Sequence, residues 1–392
     1  MNKIILLLLV ALPLITRAQS YKKLHQKAIV IDTHNDFPNQ SIDKAVGFDQ
    51  NLKGRTHSDL RRMKEGGIDV QVFSIWCDGS FGTGKGFARA NRQIDSVYAW
   101  TNRNARAMLI TKTPADLKKA VRQKKLSVMM GVEGGHMVED RMENLNQLYE
   151  RGVRYMTLTW NNSTSWASSA MDESRNLQPN GKNGLTAFGE QIVKRMNELG
   201  MIVDLSHAGE QTFWDAINIS TKPVITSHSC VHALCPVFRN LKDEQIKAIA
   251  KNGGVIHLNF FSGFLDSTFN QRNTAFLLAH KQERDSLQAI NPEPYYTEEY
   301  LFAKYPEEVK SLRPPLSLLL DHLDYIVKLA GIDHVGLGSD FDGISSAPQQ
   351  LDDVTGFPLI TKALVERGYS KKDIRKILGE NFLRVFRANH TK

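Results

Sequence analysis

"AIVIDTHND", residues 28–36, opens with a β-branched apolar run and ends with a histidine and an aspartate two positions apart. Side chains alternate faces along a strand, so His34 and Asp36 point the same way. A buried strand that aims an imidazole and a carboxylate at one point suggests chemistry at its end. Asn35, Asp36 and Pro38 are also ordinary turn residues, so this stretch alone does not separate a metal site from a loop. The rest of the chain has to decide.

Seven further runs share the pattern. They are IDVQVFSIW from Ile68, LSVMMGVEG from Leu126, VRYMTLTW from Val153, MIVDLSH from Met201, PVITSHS from Pro223, GVIHLNF from Gly254 and HVGLGSD from His334. Several are continuously apolar, as strands buried on both faces should be. Between them lie helical signals. In TPADLKKAVRQKK, Thr113 sits at an N-cap position and Pro114 at the first helical position. AFGEQIVKRMNELG repeats apolar residues at Phe188, Ile192, Met196 and Leu199, with Gly200 as a stop. SKKDIRKILGENFLRVF starts at Ser370 and Asp373 and puts Ile374, Ile377, Leu378 and Phe382 on one helical face.

Eight strands alternating with helices predict an α/β fold, a (β/α)8 TIM-type barrel. The other common parallel arrangement, a doubly wound sheet, would place a glycine-rich phosphate loop after the first strand, and none is present there. The rhythm breaks after the seventh strand. Residues 261–315 are long, polar and charged and contain NPEPYYTEEYLFAKYP; they read as a partly helical insertion that covers the site or forms the subunit contact of a homodimer. The expected organisation is a leader over residues 1–18 and a single barrel over residues 19–392.

Barrel enzymes carry their chemistry at the C-terminal ends of the strands. Those ends supply His34 and Asp36, Glu133, Trp160, His207, His228, Asn259 and Asp340. Three imidazoles with three carboxylates suit a borderline divalent ion such as zinc, with manganese, iron and cobalt also compatible. Two ions about 3.5–4 Å apart need a bridging anion, which Glu133 at the end of a central strand can supply. His257 lies mid-strand and reads as a packed barrel histidine, whereas His136 and His232 are near enough to the rim to support ligands.

The remaining composition narrows the class. The 392 residues are 41% hydrophobic and 23% charged with a net charge of +8, and the basic residues are scattered with no nucleic-acid motif beside them. MNKIILLLLVALPLITRAQS has the layout of a secretory signal peptide with cleavage after Ala18. Its apolar run is shorter than the roughly 18 residues of a membrane span. An exported, periplasmic or extracellular protein without a stable membrane anchor is expected. Three cysteines, Cys77, Cys230 and Cys235, are too few for a disulfide framework, though Cys230 and Cys235 could pair.

Taken in order, IDTHND, GVEGGH, YMTLTWNN, VDLSH, ITSHS and HVGLGSDFDG resemble the renal (membrane) dipeptidase family, zinc peptidases of the metal-dependent hydrolase superfamily. The likeness runs from about Leu24 to Phe386. It implies a barrel with two Zn2+ that cleaves small peptides, dipeptides in particular, often accepting a D-residue at the C-terminal position. By position, His34, Asp36 and Glu133 would hold one zinc, and Glu133, His207 and His228 the other. Asp340 would handle the proton of the attacking water, and Arg239 would grip the substrate carboxylate. Two positions depart from the renal members. Trp160 stands where they have a histidine, and Phe261 where they have a tyrosine; Asn161, next to Trp160, could supply the missing donor.

Two other functions fit such a barrel. A deacylase or lactonase of the same superfamily commonly begins with HxH and bridges its metals through a modified lysine. This chain has HxD, and no lysine ends its third or fourth strand. A non-catalytic metal-dependent binding protein would have no use for Asp340, which the metals do not require.

Overall fold

A computed structural model of the chain describes residues 21–178, 181–291 and 294–390; the leader expected over residues 1–18 lies outside them. The strands are β1 (Ile31–Asn35), β2 (Val70–Trp76), β3 (Met108–Ile110), β4 (Leu126–Glu133), β5 (Val153–Thr157), β6 (Ile202–Asp204), β7 (Ile225–Thr226), β8 (Val255–Leu258) and β9 (Val335–Leu337). They pair in parallel in the order β1-β2-β4-β5-β6-β7-β8-β9. Backbone bonds then close the ring, Asp36 N to Phe341 O at 2.9 Å and Asp340 N to His34 O at 3.1 Å. All eight runs read from the sequence are staves of this (β/α)8 barrel. The ninth strand, β3, pairs beside β4 off the barrel path. It spans three residues, too few to carry a period.

Several strands are shorter than the sequence suggests. β6 and β7 stop at Asp204 and Thr226, two or three residues before their histidines. A buried carboxylate replaces the ladder there: Asp204 Oδ1 accepts from Ser206 N at 3.1 Å and Ser227 N at 2.8 Å. Asp32 Oδ1 does the same for Ser339 N at 2.7 Å, beyond β9. The rim is thus stitched by side chains, which frees its backbone to turn. His207 and Asp340 use that freedom, adopting left-handed φ values of 62° and 60°. Non-glycine residues hold such conformations only where their surroundings over-determine them.

The surrounding helices start and stop where their caps dictate. Thr113 and Asp116 form a reciprocal capping box before Pro114–Arg122, and Gly200 ends Ala187–Leu199 at φ 80°. The final helix departs from expectation. It breaks at Gly379 into Lys371–Arg375, a wide turn over Lys376–Glu380, and Asn381–Asn389. A Cβ at Gly379 would lie 2.4 Å from Ile29 O, so the chain bends where it presses on β1. Phe382 and Phe386 then pack with Ile31, Val72, Met129, Ile202 and Val255 from the strands.

The insertion is almost wholly helical: Ser262–Leu265, Phe269–Ala279, Lys281–Ile290, Pro294–Lys304 and Pro306–Leu312. Phe269, Phe276, Leu301, Phe302, Val309 and Leu312 give it a small core of its own. It reaches back to the helix Phe37–Asp43 and the residue that follows it. Tyr296 donates to Asp43 at 2.8 Å, Lys44 to Glu299 at 2.6 Å, and Gln40 to Tyr295 at 3.3 Å. Cys77, Cys230 and Cys235 are all free and buried. Cys230 Sγ is turned to Asn259 O and Cys235 Sγ to Gly263 O, so the two do not pair.

Candidate active site

Glu133 ends β4 and stands between two sets of ligand-type atoms. Its Oε2 lies 3.3 Å from His34 Nε2, and Asp36 Oδ2 is 3.5 Å from the same nitrogen. Its Oε1 lies 2.9 Å from His207 Nε2 and 3.3 Å from His228 Nε2. Glu133 thus faces His34 on one flank through one oxygen and His207 and His228 on the other flank through the second, with the His34 and His228 ring centroids 3.8 Å apart. Asp340 joins the first flank, its carboxylate within ligand reach of His34 and Asp36.

Each imidazole is oriented from behind. His34 Nδ1 meets Tyr155 Oη at 2.8 Å, and that phenol donates its own proton to Thr33 O. His228 Nδ1 meets Ser227 Oγ at 2.8 Å, which in turn donates to Asp204 Oδ2. His207 Nδ1 meets Asn161 Oδ1 at 3.0 Å. With all three Nδ1 atoms committed as donors, the Nε2 lone pairs face inward, as metal-binding imidazoles are held. His207 Nε2 and His228 Nε2 are only 3.0 Å apart. Tetrahedral bonds of about 2.0–2.1 Å would separate ligand atoms by roughly 3.4 Å, so Glu133 Oε1 and these nitrogens have the spacing of one coordination face. Asp36 Oδ1 is buried without a partner among the described residues. A divalent cation answers every one of these features.

The electrostatics agree on the side of His207 and His228. Burial pushes His207 down to about 3 and His228 well below the usual imidazole range, which keeps both neutral and able to coordinate. Burial opposes ionisation of Glu133, but a charged His34 and the facing imidazoles hold it well below the carboxylate range. Burial likewise opposes charge on His34, but Tyr155, Glu133 and Asp36 hold it well above the imidazole range, a proton that a bound cation would displace. Burial and then the charge of Asp36 push Asp340 well above its ordinary value. Asn259 donates to Asp340 Oδ2 at 2.8 Å and fixes its orientation. Gly343 lets the two carboxylates approach, since a Cβ there would lie 2.2 Å from Asp36 Oδ2 and 2.8 Å from Asp340 Oδ1.

A cavity of about 930 Å³ opens over these groups. Trp160 forms part of its wall, edge-on to Trp76 with centroids 5.0 Å apart. Phe261 and Tyr295 bring the insertion to the opposite wall, so the insertion does border the site. Arg239 is 4% exposed, and among the described residues no carboxylate pairs with it. It donates to His228 O at 3.3 Å and lies over the Phe264 ring at 5.3 Å. Burial lowers its pKa to about 10, so it remains a cation at neutral pH and lacks an anion. His257 is buried with Nδ1 on Thr226 O, a packed histidine as expected. His136 turns to Cys77 O and bonds none of the ligand histidines.

The sequence profile of the membrane dipeptidase family (peptidase family M19) matches residues 18–392. The chain belongs to this family. An uncharacterized dipeptidase of Schizosaccharomyces pombe is 31% identical over 388 residues, covering 94% of this chain and 82% of the yeast protein. Among solved structures, a metallopeptidase from Rhodobacter sphaeroides liganded with a phosphinate mimic of L-Ala-D-Ala superposes with a TM-score of 0.75. It is 25% identical and covers 93% of this chain and 100% of that one. The probable dipeptidase PvdM from Pseudomonas aeruginosa shares the fold, with a TM-score of 0.76, 24% identity and coverage of 95% and 98%. Membrane dipeptidases are metallopeptidases, typically of zinc, so the chain is a metal-dependent hydrolase of the dipeptidase class. That sets aside the deacylase, lactonase and binding-protein readings.

Sequence reasoning missed the residues behind the ligands: Tyr155, Asp204, Ser227, Asp32 and Ser339. Tyr155 left one trace, the glycine beside it. A Cβ at Gly131 of β4 would fall 2.1 Å from the Tyr155 ring, and a glycine inside a strand marks such a close approach.

Proposed function

We propose that the protein is an exported dipeptidase that works with two zinc ions and accepts dipeptides with a C-terminal D-residue. One observation carries the two-ion reading: the two oxygens of Glu133 face different flanks, Oε2 toward His34 and Oε1 toward His207 and His228. His34, Asp36 and Glu133 would hold one ion, and Glu133, His207 and His228 the other. When bound, such ions lower the pKa of water and polarise the scissile carbonyl. The phosphinate dipeptide mimic bound by the Rhodobacter sphaeroides relative supports the D-residue. Export rests on the leader sequence. No helix among the described residues is long and apolar enough to cross a membrane.

The chain's own groups do the rest. Asp340, anchored by Asn259 and facing Asp36, takes the proton of the attacking water and returns it to the leaving amine. Arg239 binds the free carboxylate of the substrate and so measures the distance from the scissile bond to the chain end. Trp160 walls the pocket. Leu278, Ile290 and Tyr300 are exposed on the insertion, where a homodimer contact would cover them.

Metal analysis of the mature chain, with a dipeptide library containing L,L and L,D members, tests the reading. About two ions per chain and cleavage of both series are expected; one ion per chain would remove the bridging role of Glu133. Arg239→Ala should raise KM for dipeptides roughly ten- to a hundredfold, the worth of a lost charge-assisted pair of about 1.5–3 kcal/mol. It should also erase discrimination against C-terminal amides.

A further inference from the structure

Arg239 borders more than the catalytic cavity. Behind it lies a second cavity of about 240 Å³, and His207, Phe238 and Arg239 line both. Four polar atoms on the wall of the second cavity have no hydrogen-bond partner among the described residues: Ser229 Oγ, Asn240 Oδ1, Arg239 Nε and Asn183 Oδ1. Ser229 is 1% exposed and Asn240 5%. The side-chain nitrogen of Asn240 is committed to Cys235 O at 2.8 Å and Phe264 O at 2.7 Å, which leaves its oxygen to be satisfied from elsewhere. Buried polar atoms are costly when unpaired. The space could hold about eight waters at roughly 30 Å³ each, or a substrate side chain with a few.

The charges on this wall select the kind of side chain. Glu210 pairs with Lys242 at 2.6 Å, and Glu173 already accepts from Ser168 Oγ at 2.5 Å and Gln211 N at 3.3 Å, so with Arg239 given to the substrate carboxylate both acids of this wall still have partners. Neither an anion nor a cation meets a one-signed field. What is unfilled is hydrogen bonding, with acceptors on Asn240 and Asn183, a donor on Arg239, and both on Ser229.

We infer that this cavity receives the side chain of the substrate's C-terminal residue and selects neutral hydrogen-bonding side chains, carboxamides and hydroxyls. The inference rests on Arg239 as the carboxylate anchor. With the carboxylate held there and the scissile amide over the metal ligands, the side chain on the intervening carbon starts at the mouth shared by the two cavities. The catalytic cavity is lined by aromatic rings (Trp76, Trp160, Phe261 and Phe264) together with charged groups such as Asp43, Lys44, Arg89 and Glu298, whereas the unpartnered groups of the second chamber on Ser229, Asn183 and Asn240 are neutral.

The test compares Leu-Asn with Leu-Leu, each with an L- or a D-residue at the C-terminus, on the metal-loaded mature enzyme. Asparagine and leucine side chains are nearly the same shape, so the ratio of kcat/KM reads hydrogen bonding. Leu-Asn should lead by about tenfold in at least one stereochemistry. Ser229→Ala removes only an unpartnered hydroxyl, and Asn183→Leu replaces an acceptor at the chamber's edge; each should reduce that ratio severalfold. A ratio near one in the unaltered enzyme, or one that neither variant moves, would mean the chamber holds only water and would overturn the inference. The C-terminal amide of Leu-Asn separates the two levels. If the amide is cleaved as well as the acid, the anchor and the inference fall together. If acid selectivity stands and the ratio is one, the inference falls alone.

Discussion

The two flanks of Glu133 are built from different donors. On the β1 and β9 side, His34 and Asp36 are the donors beside Glu133, and Asp340 faces them. On the β6 and β7 side are two imidazoles, His207 and His228, and among the described residues Glu133 is the carboxylate paired with them. The first flank would hold a cation mostly by charge, and oxygen donors tolerate several hard divalent ions. The second would hold it by directed nitrogen lone pairs, each fixed through its Nδ1 partner. Under the two-ion reading, the flanks should differ in exchange rate and in metal preference.

Breaking the element common to both should have the largest effect. Glu133→Gln should lower metal content on both flanks and cut turnover on the order of ten-thousandfold, the upper end of what one positioned acid–base group contributes. Elemental analysis alongside kcat checks this; full occupancy in the variant would show that the flanks are independent. Asp340→Asn comes next. It should keep the metals and lose about a hundred- to a thousandfold in kcat, because an amide cannot take up a proton. Loss of an ion from the His34 flank instead would make Asp340 a ligand and sharpen the contrast in charge. Smaller effects should separate the flanks cleanly. Tyr155→Phe should weaken metal affinity on the His34 flank only, and Asn161→Leu on the His207 flank only, each by roughly ten- to a hundredfold. Competition with a chelator would resolve them, and equal losses on both flanks from either change would refute the separation. The smallest effect belongs to Trp160→Phe. If Trp160 is a wall, kcat should move by well under tenfold (~1.4 kcal/mol), while Trp160→Ala broadens the accepted side chains. A hundredfold fall in Trp160→Phe would assign the indole N–H to the oxyanion instead.

Why were His34, Glu133 and Asp340 legible in the sequence while Tyr155 was not? The former follow apolar runs, and a barrel gives all run ends one address. Tyr155 sits inside Val-Arg-Tyr-Met-Thr, where an aromatic reads as core, and its partner lies 121 positions away. Only the parallel register brings them together. Asp204 was equally hidden, because its work of ending β6 and holding Ser227 appears only once β7 is beside it. The insertion announced itself by breaking the alternation, yet its bonds to Asp43 and Lys44 depend on tertiary placement. Gly379 lies inside the run read as one amphipathic helix, and its close approach to Ile29, which no local pattern carries, bends the chain there.

The bonds from Asp36 N to Phe341 O and from Asp340 N to His34 O shut the barrel. The same bonds set His34, Asp36 and Asp340 face to face. The chain therefore has no half-finished working form. A polypeptide released by the ribosome before Val335 lacks its last stave and one side of its reaction chamber together. A chain truncated there should therefore cleave no peptide at all, rather than cleave poorly.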